Sequence, residues 1–239
     1  DNGNYNTKSS EGMLYASGYA ASDKEFIVPE MQIFFEGKYY AIGERRLRFQ
    51  QDKTREPDTF ILTLPAIADA MKKAGTTNAE IALGVGLPID SYGTQKEAFR
   101  RYFLRDNISF RFEGAFYRCR IAECKVFAQG HAALCRYYPQ LKDYRSITLV
   151  DIGGYTVDIL ALHDFRLDRS SCASLRMGTI TLYSRIQDTL QRSDILLSDG
   201  LITDAICGEI QHTESKLIGA VVEQAVTAYC KELFNALRE

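Results

Sequence analysis

The sequence predicts an α/β fold in two lobes, and three observations predict it. Strand-like and helix-like segments alternate along the chain, several strands are apolar runs of the kind buried inside sheets, and an amphipathic helix closes the sequence. The 239 residues suffice for one or two domains with a sizeable core, and 46% hydrophobic with 25% charged residues is an ordinary globular composition.

The first 43 residues read as extended hairpins. Met13–Ala20 and Glu25–Val28 are short apolar or aromatic segments, and Met31–Phe35 and Tyr39–Ile42 flank the turn Glu36-Gly37-Lys38. Lys53–Pro57 reads as a charged linker. Asp58 is expected to cap a helix whose apolar positions Phe60, Leu64, Ile67 and Met71 keep a period near 3.6, with Gly75 past its end. Pro65 inside that stretch predicts a kink or a late start. Ala79–Leu87, ending in Pro88, reads as a buried strand; Phe99, Tyr102 and Phe103 mark the next helix. Ile108–Phe112 and Ala115–Phe127 follow as strands around Gly114. A helix is expected over Gln129–Tyr138, then strands at Ser146–Asp151 and Thr156–Leu162 around Gly153-Gly154. The rest is read as mostly helical from Gly178, and the last helix, Glu214–Arg238, would be roughly 37 Å long.

Charge and cysteine usage exclude several classes. Lys and Arg number 29 against 31 Asp and Glu, so the surface has no long-range attraction for nucleic acid or an anionic membrane. No run of eighteen uncharged apolar residues exists, and the polar opening Asp1–Ser10 does not read as a signal peptide. The six cysteines show no C-x-x-C spacing and only three histidines accompany them, which argues for reduced thiols in a bacterial-type cytoplasm and against a zinc ribbon.

Two segments are built alike: Asp1-Asn2-Gly3-Asn4-Tyr5-Asn6-Thr7-Lys8 and Asp151-Ile152-Gly153-Gly154-Tyr155-Thr156-Val157-Asp158. Each places an Asp at a strand end, then glycine in a tight turn, then residues entering another strand. Such a hairpin suits polyphosphate, because glycine allows close backbone approach and successive N–H groups form an anion nest. Asp1 and Asp151 would offer oxygen to Mg²⁺ through its waters, and Lys8 would neutralise phosphate charge. Gly3, Asn4 and Asn6 of the first hairpin and Gly153, Gly154, Tyr155 and Thr156 of the second complete the candidate set. Neither is a P-loop, since no G-x-x-x-x-G-K-[ST] occurs.

The pair, about 150 residues apart with an α/β pattern between, resembles the two phosphate loops of the actin, sugar-kinase and heat-shock-chaperone ATPase superfamily. That resemblance implies an actin-like, ribonuclease H-like two-lobed fold, with lobe I and a hairpin-rich subdomain over 1–128 and lobe II over 129–239. In the superfamily an acid or amide between the lobes orients the attacking water, and Gln129 of Lys125–Leu134 occupies the matching place. The nearest likeness is to ParM/StbA-type plasmid-segregation actins. It rests on Asp1-Asn2-Gly3-Asn4 with Lys8, Ala82–Pro88, Tyr92…Gln95-Lys96…Phe99, Val126–Leu134, Asp151–Asp158 and Leu175-Arg176-Met177-Gly178.

This resemblance implies a filament-forming, Mg²⁺-dependent ATPase of plasmid or mobile-element DNA segregation, using ATP or GTP. It would polymerise with itself and reach DNA through a centromere-binding adaptor protein, with no direct nucleic-acid or membrane contact. Gln129 and Asp151 would serve catalysis and Gly178 would lie near the nucleotide sugar. The family precedes the first Asp with a buried strand and adds a glycine-rich loop after Glu239, so the chain is expected to be clipped at both ends. The rivals are a cell-shape or division actin, a small-molecule kinase of the same fold, for which no catalytic Asp motif is found, and a scaffold that binds nucleotide without turnover. Arg45-Arg46-Leu47-Arg48 and Lys96…Arg100-Arg101…Arg105 are read as solvated faces, His131 as a packing residue, and the cysteines as small core residues.

Overall fold

A computed structural model describes residues 2–27, 29–47, 50, 52–130, 134 and 136–238, with only the backbone of Arg169. The chain gathers into two compact units, Asp1–Gly154 with Asp158–Ser174, and Tyr155–Val157 with Leu175–Glu239. Residues 129–154, which the sequence assigns to a second lobe, thus begin inside the first unit.

The first unit opens with the short pair β1 (Asn6–Lys8) and β2 (Leu14–Ala16). A six-stranded sheet follows, built from β3 (Gly18–Ser22), β4 (Gln32–Phe35), β5 (Lys38–Arg46), β6 (Asn78–Leu87), β7 (Arg105–Phe112) and β8 (Ala115–Ala128). Its order is β3-β5-β4-β7-β8-β6, and β6 runs parallel to β8 while the other pairs are antiparallel. Two Glu-Gly pairs turn the hairpins. Glu36 (φ 49°) and Gly37 (φ 80°) join β4 to β5, and Glu113 (φ 48°) and Gly114 (φ 79°) join β7 to β8. Two consecutive positive φ angles match the right-handed twist of the flanking strands.

Helices α1 (Asp58–Lys73) and α2 (Ile89–Phe103) supply the core that this sheet buries. Phe60, Leu64, Phe99 and Phe103 are fully enclosed, together with Ile33 and Phe110 of the sheet. Truncating a ring such as Phe60 to Ala costs about 3–5 kcal/mol. Helix α1 runs unbroken through Pro65 and starts on time. The N-cap position falls on Pro57; Asp58 sits in the first turn, where its carboxylate accepts from the Tyr19 hydroxyl at 2.5 Å and the Gln50 amide at 2.7 Å.

Strand β6 corrects the expectation of full burial. It lies at the sheet edge, paired with β8, and is exposed at Asn78, Glu80, Ala82 and Gly84, with Val85 and Leu87 buried at its end. Strand β8 changes parity midway. Tyr117, Cys119 and Ile121 are buried, Ala122 and Glu123 are both exposed, and Cys124, Val126 and Ala128 are buried thereafter. Opposite, Ile81 pairs with Ile121 and the next residue, Ala82, pairs with Glu123, so β8 carries one extra residue.

Past β8 the helix expected over Gln129–Tyr138 is not what forms. Gln129 and Gly130 make a turn, Gly130 at φ 79°, and a short helix α3 occupies Tyr138–Leu141; residues 131–133 and 135, including His131 and Cys135, lie outside the described set. Strand β10 (Val157–His163) then pairs with β9 (Ser146–Ile152), β11 (Arg166–Leu167) and β12 (Ala173–Leu175) over Leu134, Leu160 and Leu162.

The second unit is helical: α4 (Thr179–Gln191), α5 (Asp199–Cys207) and α6 (Ser215–Ala236). Their buried faces carry Leu182, Ile186, Ile202, Ile218, Val222 and Leu233 at helical spacing. Ser198 caps α5 by accepting from the Leu201 N–H, and Gly208 ends it in the left-handed region. Tyr229 is buried and donates to the Met177 carbonyl at 2.6 Å. No helix among the described residues is long and apolar enough to cross a membrane.

Candidate functional site

A cleft of about 560 Å³ in the first unit brings together Lys8, Gln129 and Asp151. Lys8 ends β1, Gln129 follows β8, and Asp151 lies near the end of β9, so three separate strand ends supply a cation, an amide and a carboxylate. Asp151 and Gln129 are half-buried and Lys8 is exposed. The volume lies within the ~300–1,000 Å³ typical of small-ligand sites. Glycine shapes the wall. A Cβ at Gly86 would lie 2.9 Å from the Gln129 Cγ, and one at Gly130 would lie 2.6 Å from Leu149. The Gln129 N–H also donates to the Leu87 carbonyl at 2.8 Å, which pins its backbone to the end of β6.

The two hairpins meet within this unit. A Cβ at Gly154 would fall 2.1 Å from the Tyr5 Cβ, so only glycine permits the approach. Side chains hold the first hairpin in place. The Arg46 guanidinium lies 3.5 Å over the Tyr5 ring, donates to the Tyr5 carbonyl and reaches the Asn6 amide oxygen at 3.3 Å. Ser17 Oγ donates to the Gly3 carbonyl at 2.6 Å, and Asn2 Nδ2 donates to Thr63 Oγ1 at 2.9 Å. Arg46 is therefore partly buried against the hairpin rather than solvated, while Arg48 lies outside the described residues.

Lys53 departs furthest from its sequence reading. It is 4% exposed, and its ammonium donates to the Asn2 carbonyl. Burial pulls it down to about 8, and the Asp158 carboxylate works in the opposite direction. Asp158 is itself buried and accepts from Ser174 Oγ at 2.5 Å. A cavity of about 20 Å³ beside Lys53, lined also by Gly3, Asn4 and Thr7, has room for one water.

The remaining candidates are distributed as follows. Gly153 is half-buried in the turn between β9 and β10. Tyr155 and Thr156 belong to the second unit, where the buried Gly178 N–H, at the N-cap of α4, donates to the Tyr155 carbonyl at 3.1 Å. Asp1 lies outside the described residues. Sequence reasoning passed over Gly86, Gly130, Arg46 and Lys53 as site elements; the G-x-G at 84–86 before Pro88 was the available signal. Of the cysteines, Cys119 and Cys124 are core residues whose thiols burial pushes up to about 11; Cys207 is exposed.

The cleft fits a hydrated Mg²⁺ better than a protein-caged metal. Its described lining offers a hard carboxylate and amide oxygen without thiol or imidazole, and no cluster of three or more His, Cys, Asp or Glu gathers among the described residues. Mg²⁺ keeps several waters and leans on one or two carboxylates beside phosphates.

A mixed sheet backed by two helices, followed by a second sheet that brings another Asp-Gly hairpin against the first, is the actin-like class of fold. The chain belongs to the actin-like protein family: the model described as Actin like proteins N terminal domain matches residues 1–131. Among solved structures it is similar to the archaeal actin homologue Ta0583 in complex with ADP, with a TM-score of 0.76 at 18% identity over 100% of this chain and 81% of that one. It is also similar to ParM in a 15-stranded filament from Clostridium botulinum (0.74, 16%, 98% and 80%). Bacillus thuringiensis ParM with ATP gives 0.70 at 13% identity, over 99% of this chain and 81% of that one. No curated protein matches the sequence. The likeness to ParM-type actins inferred from the hairpins thus holds for family and fold.

Proposed function

We propose that this chain is a nucleotide-dependent filament protein, a Mg²⁺-dependent ATPase that segregates plasmid or mobile-element DNA from the cytoplasm. The observation that carries the reading is the meeting of Lys8, Gln129 and Asp151 in one cleft beside two glycine hairpins. ATP or GTP is the nucleotide class. The relatives solved with ADP and ATP support it, as does the ParM filament for self-assembly. The match of residues 1–131 to an N-terminal domain model supports a lobe boundary near 128/129.

In this reading the backbone N–H groups of Gly3 and Asn4, and of Gly153 and Gly154, receive phosphate oxygens, with Tyr155 and Thr156 continuing the second loop. Asn6 adds a polar side chain and Lys8 neutralises phosphate charge. Gly178, lacking a side chain, borders the nucleotide sugar. Asp1 and Asp151 would hold the hydrated Mg²⁺, which when bound supplies charge neutralisation to the phosphates. Gln129 presents its amide oxygen to the attacking water; phosphoryl transfer through a loose transition state needs alignment more than a strong base. DNA is reached through a centromere-binding adaptor, consistent with the near-neutral net charge of −2.

The test is sedimentation and phosphate release with and without Mg-ATP. ATP-dependent pelleting with turnover, both lost in Asp151→Ala, is the expected result. Turnover and pelleting that survive in Asp151→Ala overturn the site assignment.

A further inference from the structure

We propose that Lys53 is a positioning residue that ties the two hairpins together from beneath, fixing the spacing of the backbone groups that receive phosphate. The inference rests on the reading of those hairpins as phosphate loops. A lysine almost never enters a protein interior without a partner, because its charge loses hydration there. Lys53 is 4% exposed, and its environment contains parts of both hairpins. Its ammonium donates to the main-chain carbonyl of Asn2, next to the Gly3-Asn4 turn. Its counter-charge is Asp158, the last residue of the second hairpin, itself 5% exposed.

Each partner is anchored in turn. Asn2 donates to Thr63 Oγ1, which donates to the Thr59 carbonyl, so the first hairpin is tied to α1. Asp158 accepts from Ser174 of β12, which ties the second hairpin to its neighbouring strand. One buried cation therefore closes a chain of contacts running α1, Asn2, Lys53, Asp158, β12. Holding the Asn2 carbonyl toward Lys53 also fixes the orientation of the peptides after it. A carbonyl drawn inward leaves the following N–H groups available on the other side, where an anion would be received.

The role separates from simple packing in a double-variant experiment. In Lys53→Met the nucleotide Kd is expected to rise about tenfold or more, as when a supporting partner of a ligand-binding group is removed. The maximal rate of phosphate release should stay within about twofold, since Gln129 and Asp151 are untouched. Lys53→Met with Asp158→Asn removes both charges, so it folds even if Lys53→Met alone does not. Its Kd should remain raised while its Tm recovers. A Kd that recovers together with Tm, or one unchanged in either variant, overturns the proposal. Hydrogen exchange on the nucleotide-free double variant gives an arm independent of nucleotide binding. Faster exchange at the amides of both 3–8 and 153–158 supports the tie, and faster exchange at one hairpin or neither overturns it. Should the unmodified chain fail to bind Mg-ATP, the nucleotide reading falls while this exchange arm still decides on the tie.

Discussion

The first Asp-Gly hairpin enters a strand of three residues, Asn6–Lys8, paired to the equally short Leu14–Ala16. The second joins two strands of seven, Ser146–Ile152 and Val157–His163. Their sequences follow one pattern, yet their supports differ. The short hairpin has too few ladder bonds to fix itself, so side chains hold it: Arg46 over Tyr5, Ser17 on Gly3, Thr63 on Asn2 and Lys53 beneath. The long one is carried by its sheet, and its special requirement is the missing side chain at Gly154. Where backbone pairing is brief, specificity moves into buried polar contacts, and each of these must be satisfied to avoid a desolvation cost.

Substitutions can break this comparison at either end. The largest effect is expected from Asp151→Ala, which should lower Mg-ATP turnover about 10³-fold, near 4 kcal/mol of transition-state stabilisation, while thermal unfolding stays cooperative. Gln129→Ala should slow phosphate release about 100-fold with nucleotide binding retained, so ATP polymers form and then persist in a pelleting time course. Gly154→Ala should destabilise the fold by about 1–3 kcal/mol in denaturant titration, and Tyr5→Gly in the same chain should recover part of that loss. Arg46→Ala should cost about 1 kcal/mol, with exchange accelerated at the first hairpin and unchanged in β9 and β10. Equal acceleration in both would mean that the two hairpins share their support more widely than the contacts indicate.

The smallest expected effect concerns pH. Lys53 lies at about 8 in the fold against 10.5 for the free side chain, so above pH 8 the unfolded chain binds the additional proton. Stability therefore rises with pH in this window and is lost as pH falls through 8. The buried thiols Cys119 and Cys124 oppose it above 9.0, since they stay protonated in the fold. Between pH 8 and 9 the unmodified chain should gain up to about 1 kcal/mol relative to Lys53→Met in parallel urea titrations.

Much of the fold was legible locally. The Glu-Gly pairs announced two tight hairpins, the spacing from Phe60 to Met71 announced α1, and both Asp-Gly segments stood out as a pair. What escaped was set by contacts distant in sequence. Lys53 sits among charged and polar neighbours and reads as a solvated linker until Asn2 and Asp158 are brought to it. Arg46 reads as surface charge until Tyr5 lies beneath it. The apolar run of β6 looked like a central strand, but composition cannot reveal that it has one neighbour. Pro65 was overestimated as a breaker, because tertiary packing of nine other buried α1 residues keeps the helix continuous.

The extra residue at Ala122-Glu123 of β8 decides which side of the sheet its last third presents. Because side chains alternate with a period of two, one residue fewer would turn Lys125, Phe127 and Gln129 inward, toward the helices, and turn Cys124, Val126 and Ala128 out. The amide that lines the cleft owes its address to a count, not to its own neighbours. Loss of a single codon there would exchange the sheet's two sides over its whole final stretch, and no one later substitution could restore them. An insertion of one residue nearby could. Length variation in this strand should therefore occur in compensating pairs, or in steps of two.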